Sequence, residues 1–311
     1  MNDVVLAIYS DRLFMAAVGV YVLAMALHAA EYAALRSAHE PAAVPVSVGG
    51  APPPPDAPAP DRPVRSRADR FGGAAANLVV LAALLQLGSI VTRGLAADRW
   101  PLGNMYEFTS AVCLAAVVTW LVVLRRVPAL RVVALFVLLP VVILLFLAGT
   151  VLYARAAPVV PALRSYWLVV HVTTITVSSG LLLVPGIASL LYLLRRSSRG
   201  GALVDRLPSA AALDRLAYRT TIVAFPLYTF GVIAGAIWAE AAWGRFWGWD
   251  PKETVAFVAW VVYAAYLHAR ATAGWRSGRA AGINVAGLVV VLFNLFFINM
   301  VVAGLHSYAG I

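Results

Sequence analysis

VVALFVLLPVVILLFLAGTVLY, residues 132–153, runs for 22 residues without a charged side chain. A helix needs about 20 mostly apolar residues to cross the hydrocarbon core of a bilayer, so this stretch reads as a membrane span. Working outward from it, seven more runs of the same kind lie at 12–35, 71–92, 106–124, 166–194, 220–240, 254–273 and 283–305. Composition agrees. Of 311 residues, 62% are hydrophobic and only 12% are charged, against about a quarter charged in a soluble domain. An ordinary soluble enzyme is excluded, and the expectation is an all-α polytopic membrane protein of about eight transmembrane helices. The opening MNDVVLAIYSDRLF lacks a basic stretch and a small-residue cleavage site, so the first span is expected to be retained and not removed as a signal peptide.

The charge left over is lopsided, 24 Lys+Arg against 14 Asp+Glu, formally +10. In so apolar a chain this points to charge sorted across a bilayer and not to nucleic-acid binding. Segments 36–70, 125–131, 195–219 and 269–279 carry 17 of the basic residues, and the alternate segments carry 7. The first set is expected to be cytoplasmic, which puts both termini on the outer side and the protein in the plasma membrane. Residues 1–36 then form the first transmembrane helix, and 71–311 form a seven-helix body. Between them, 37–70 includes APPPPDAPAPDRP and cannot build a core, so it is expected to be a disordered, Pro-rich cytoplasmic linker. Its basic end, Arg65, Arg67 and Arg70, would lie near anionic lipid headgroups. The one cysteine, Cys113, lies inside an apolar run. That excludes a disulfide framework, a Cys-rich zinc site and a CxxCH haem-attachment motif, so the chain is not itself a c-type cytochrome.

Polar groups inside spans are costly, and each needs a reason. The five histidines are His28, His39, His171, His268 and His306. His39 lies in the linker and reads as solvated. His171 lies near the outer end of the fifth span, and His306 ends the eighth in GLHSYAGI. Two imidazoles at one membrane depth could ligate a metal or a haem iron from opposite sides. The plainer reading is a pair of interfacial histidines bonded to water or headgroups. His268, in AYLHAR, sits about two-thirds of the way across the seventh span at ~1.5 Å per residue. It is either a second ligand or a packing contact. For His28 the contact reading is preferred.

Between His171 and His306 lies WAEAAWGRFWGWDPKE, residues 238–253, where four of the nine tryptophans fall within twelve residues. An aromatic belt at the headgroups is the ordinary explanation. A belt, however, needs no Gly-Trp-Asp-Pro turn and no such density in one segment. An aromatic shelf with Arg245 and Lys252 beside it suits a planar, apolar dianion, and haem fits that description. Glu240 and Glu253, at helix mouths, read as solvated.

WGRFWGWDPKE resembles the tryptophan-rich WWD signature of the haem-handling superfamily of cytochrome c biogenesis, within it the CcsA/ResC type of System II (CcsB in actinobacterial sequences). PLGNMYEF at 101–108, His171 after SYW, and LHSYA at 305–309 extend the resemblance over about 71–311. The resemblance implies that haem b is the substrate, held at an external site by His171 and His306 as iron ligands. Trp243, Trp247, Trp249 and Asp250 would hold the ring. It implies that His268 belongs to a second haem site within the membrane, completed by a ResB-type membrane protein. It further implies covalent attachment of haem to the CxxCH thiols of apocytochrome c, a cytochrome c synthase activity exerted with that partner. His28 matches nothing in the family pattern. Two other functions compete. One is a haem transporter without attachment activity. The other is a cytochrome b-type electron-transfer subunit, which would favour two histidines on one helix, and no helix here carries two. If the linker is passive, deleting 45–60 leaves the haem-stained c-type cytochromes of the membrane at their normal level; their complete loss would contradict that reading.

Overall fold

The computed structural model describes residues 3–35, 66–158, 165–197, 204–272, 274–275 and 278–306. The linker expected at 37–70 lies outside the described residues as far as residue 65. Eight helices carry the fold: α1 (Asp3–Ala34), α2 (Arg67–Ala97), α3 (Met105–Arg126), α4 (Ala134–Thr150), α5 (Tyr166–Arg196), α6 (Ala210–Trp243), α7 (Pro251–Thr272) and α8 (Gly278–Phe293). A 3₁₀ turn, Pro128–Val133, leads into α4. A π-helical turn, Asn294–Ile298, and a short segment, Asn299–Val301, prolong α8. With these additions to α4 and α8, all eight are long and apolar enough to cross a membrane, and the described residues contain no strand. The protein is an all-α polytopic membrane protein.

Each helix corresponds to one apolar run of the sequence, and most extend beyond it. The reason is capping. Ser66, Asn104 and Ser209 accept hydrogen bonds from the backbone N–H of Asp69, Glu107 and Ala212, so α2, α3 and α6 begin at polar caps outside the greasy run. The helix α2 thus begins at Arg67 and takes in Arg67 and Arg70, two of the basic residues read as the end of the linker.

In a bilayer, close packing of small residues and interhelical hydrogen bonds hold helices together. Gly180 of α5 sits against α3 so closely that a Cβ would lie 2.5 Å from the Val112 carbonyl oxygen and 2.6 Å from Ala115 Cβ. The helices α1, α2 and α3 are laced by Tyr21 donating to Gln86 (2.8 Å) and Gln86 donating to the Ser110 carbonyl (2.8 Å). α5 packs along α6, and α8 packs on both α5 and α7.

Buried charge collects at the two ends of the bundle. At one end, Glu107 accepts from Arg93 (3.1 Å), Arg99 (2.7 Å) and the Gly103 N–H (2.8 Å). This pins the connection 98–104 to α2 and α3. At the other end, His28 is buried and bonded to Glu31 (2.9 Å). Glu31 accepts from Arg131 (2.5 Å), which also donates to Asp69 (3.0 Å). The contact reading of His28 therefore takes a specific form: its partner is on its own helix, and Glu31 makes the long-range link. Replacing Gly180 by Leu should cost about 1–3 kcal/mol or more through overpacking. It should appear as a lower melting temperature in detergent, whereas Gly282→Ala, which meets nothing within 4 Å, leaves the melting temperature unchanged or slightly raised.

Candidate functional site

The tryptophan-rich segment folds as cap, loop, cap. Gly244 closes α6 in the left-handed conformation (φ 69°), and its N–H bonds the Glu240 carbonyl. Six residues later Asp250 caps α7. Its Oδ2 accepts from the Lys252 N–H (3.2 Å), and Pro251 occupies the first helical position, where a missing N–H costs nothing. Glu253 reaches back to the N–H groups of Asp250 (3.1 Å) and Gly248 (2.9 Å), completing a capping box. Arg245 folds onto the same carboxylate at 3.5 Å. Glu253 is therefore buried and engaged, contrary to its reading as a solvated helix-mouth carboxylate. Asp-x-x-Glu ahead of an apolar run was the signal that could have revealed it.

Asp250 also reaches across to the far end of the chain. Its Oδ1 accepts from the Leu305 N–H (2.8 Å), and its Oδ2 accepts from His306 Nδ1 (2.8 Å). Gly304 makes room, since a Cβ there would lie 2.7 Å from Asp250 Oδ1. Burial opposes ionisation of this carboxyl, but the hydrogen bonds from His306 and the Leu305 and Lys252 N–H groups outweigh it and hold the pKa down to about 2. Because that lies below the ordinary value of the unfolded chain, the stabilisation is complete above about pH 4 and is lost as pH falls toward 2.

His171 is held in a parallel way from α6. Its Nδ1 donates to the Gly231 carbonyl at 2.8 Å. A Cβ at Gly235 would lie 2.6 Å from His171 Cε1 and 2.7 Å from Nδ1, so a glycine one turn further on clears the space for the ring. Both imidazoles thus bond through Nδ1 to an oxygen that can only accept. Each must carry its proton on Nδ1, which leaves Nε2 with the lone pair that binds metals. Trp238 of α6 adjoins both: its ring stacks on His171 (6.1 Å, 9°) and stands edge-on to His306 (6.0 Å, 60°). Trp243 lies 5.0 Å from His306 and 4.7 Å from Trp238.

The two histidines line one cavity, with about 1200 Å³ of space between its lining atoms, the open mouth included. Its walls are mostly apolar, from Met105, Phe108, Ile175, Val232 and Leu295, joined by Trp243 and Trp247. Asn294, in the π-helical turn of α8, also faces it. Lys252 lines it and donates from Nζ to Asn299. Of the two cations flagged in the sequence, Lys252 faces the cavity, while Arg245 is turned to Glu253. Trp249 stands apart. It is 65% exposed, adopts φ 58°, and meets Trp247 (5.9 Å) and Phe257 (6.2 Å) on the outer flank of α7. His268 lies at the opposite end of α7, about one turn before its last residue, exposed on the bundle surface and far along the helix from Lys252. The structure thus brings together His171, His306, Trp243, Trp247 and Asp250, and leaves Trp249 and His268 elsewhere.

A family model described as Cytochrome C assembly protein matches residues 102–306, a stretch that spans every cavity residue named above. The chain belongs to that family of polytopic membrane proteins. Among its relatives is a cytochrome c biogenesis protein CcsA of Parasynechococcus marenigrum (strain WH8102), 39% identical over 258 residues, covering 74% of this chain and 85% of that one. Proteins of the same name from Synechococcus sp. (strain CC9605) and Prochlorococcus marinus (strain MIT 9303) are each 38% identical, over 258 and 262 residues, and each covers 74% of this chain; the alignments cover 85% and 82% of those proteins. The chain is a multi-span membrane component of cytochrome c biogenesis, a process that handles haem and acts on apocytochrome c.

Asp250→Asn places an amide N–H or a weaker acceptor where His306 and Leu305 need a carboxylate. It should cost about 1–3 kcal/mol, the range for an unsatisfied buried partner. In detergent melts the double variant Asp250→Asn/His306→Ala should lose no more than Asp250→Asn alone, because the two residues act as one unit.

Proposed function

We propose that the cavity presents haem b for covalent attachment to apocytochrome c, with His171 and His306 as axial ligands of the iron. The observation that carries this reading is the pair of imidazoles with matched tautomers on one apolar cavity. Each is oriented by a hydrogen bond that its other ring nitrogen, Nδ1, donates, as metal-binding histidines are. Two protein ligands are too few for a bare ion, and among the described residues no cluster of three or more His, Cys, Asp or Glu is placed to hold one. Two are sufficient for an iron that already has four porphyrin nitrogens. Trp243 and Trp247 supply ring faces and edges for the macrocycle, and Lys252 supplies a cation for a propionate.

In this mechanism His171 and His306 would hold the haem iron, and the open mouth of the cavity is where the CxxCH segment of an apocytochrome would meet the vinyl groups. Each cysteine S–H adds across a vinyl C=C, forming one C–S and one C–H bond with no leaving group. The histidine of the CxxCH segment would then take the place of His171 or His306 on the iron. The chain's own cysteine, Cys113, is fully buried in α3 and takes no part. The Trp-rich end faces the outer side of the plasma membrane, and the Arg-rich end faces the cytoplasm, which follows from the uneven distribution of basic residues. His268, exposed on the flank of α7, suits an iron ligand shared with a second membrane protein of the ResB type, which would supply the other axial position.

Cells carrying only His171→Ala or His306→Ala should lose covalently attached haem c while b-type haem proteins persist, and added imidazole should restore part of it. Normal haem c in both variants would contradict the ligand assignment. Loss of b-type haem as well would point to a general defect in haem supply.

A further inference from the structure

A second, larger cavity lies on the other side of α5 from the histidine site. It is a groove with its floor on α3 and α5, walled by α2 and α6, with about 2000 Å³ of space between its lining atoms, the open side included. Its floor runs along Ala111, Ala115, Val118 and Val122 of α3. Val118 and Val122 are 48% and 47% exposed, and Val223 on the facing wall is 63% exposed, so the groove opens sideways to the bilayer. Its hydroxyls are mostly turned inward: Thr119 and Thr220 donate to the carbonyls of their own helices at 2.7 Å and so present methyl groups. Thr176, buried and with Oγ1 unpartnered, is the floor's polar exception.

The two ends of this groove differ. Trp100, Pro101 and Leu102 close the end next to the histidine cavity, whose wall Leu102 shares. The opposite end is ringed by Arg126 of α3 and by Arg215 and Arg219 of α6. All three are exposed, and among the described residues none has an ion-pair partner. The nearby Arg131 and Arg270 are, by contrast, each paired with carboxylates. Three cations without an ion-pair partner among the described residues, at the mouth of a hydrocarbon-lined groove and at the end of the bundle away from the tryptophan segment, are complementary to an anionic headgroup with its chains in the groove.

We propose that this groove is a binding site for an acidic phospholipid, its phosphate held by Arg126, Arg215 and Arg219 and its acyl chains laid along Val118 and Ala115. Haem has the same combination of apolar body and acidic groups, but the groove lining contains no His, Met, Cys, Tyr or Lys to ligate its iron. The phospholipid is therefore the occupant the lining chemistry selects. The site is independent of the histidine cavity and of its proposed function.

The test is native mass spectrometry of the full chain released from nanodiscs of mixed phosphatidylglycerol and phosphatidylcholine. Wild-type protein should retain phosphatidylglycerol in preference to phosphatidylcholine by about tenfold or more. The triple variant R126Q/R215Q/R219Q should lose that preference, and Val118→Trp, which fills the groove and keeps the arginines, should lose bound lipid of both kinds. Haem content should stay at the wild-type level in both variants. No preference in the wild type, or an undiminished preference in the triple variant, overturns the proposal. So does retention of haem, or of a partner protein's helix, in the groove in place of lipid. Loss of haem from either variant without loss of lipid would also overturn it, because the groove would then serve haem and not phospholipid.

Discussion

The carboxylate of Asp250 is the constraint on which the site is built. One buried group starts α7, holds the turn after α8 through the Leu305 N–H, and orients His306 through Nδ1. It joins two parts of the chain 55 and 56 residues apart without a metal or a disulfide. Its burial would be unfavourable for a bare charge. Three donors make it favourable, and they also fix the tautomer of His306. The same economy operates at His171, where Gly231 provides the acceptor and Gly235 the space. The cavity thus rests on α5 and α6 on one side and on the α7–α8 junction on the other.

A second carboxylate, Glu107, plays the matching part for the opposite wall. With Arg93 and Arg99 it fixes the connection that delivers Gly103, Asn104 and Met105 to the cavity. Both carboxylates sit at helix N-termini, where backbone N–H groups and the helix dipole favour negative charge. The histidines gain rigid supports from helices, and the loop between α6 and α7 is kept short by caps at both ends. Such preorganisation is what a site needs if it is to hold a large planar ligand in one orientation while a second protein approaches its edge.

Much of this was legible in the sequence, because a bilayer permits few solutions. Eight apolar runs became eight helices, and the offset at their ends came from polar caps that a hydropathy reading does not weigh. His171, His306 and the tryptophan cluster could be singled out because polar and aromatic groups at a membrane surface need a reason. What could not be read were the pairings. Arg245 looked like a free cation beside a ligand, and Glu253 looked solvated, yet each is the other's partner. Trp249 belonged to the same motif as Trp247, but its left-handed backbone sends its ring to the outer flank. His28 has its partner three residues on, in Glu31, but the Arg131 contact that holds Glu31 there spans 100 residues and could not be read. The glycines at 231 and 235 carried no signal, since one offers only a backbone carbonyl and the other only a missing Cβ to a histidine 60 or more residues away in sequence.

The central claim is that His171 and His306 together ligate one haem iron. The direct measurement is electron paramagnetic resonance and absorption spectroscopy of the purified, haem-loaded full chain, beside His171→Ala and His306→Ala. The account predicts a six-coordinate, low-spin, bis-imidazole iron in the wild type, which becomes high-spin in either variant and returns to low-spin when imidazole is added. A wild-type low-spin signal that survives both substitutions would contradict it, because the iron would then be held by other groups.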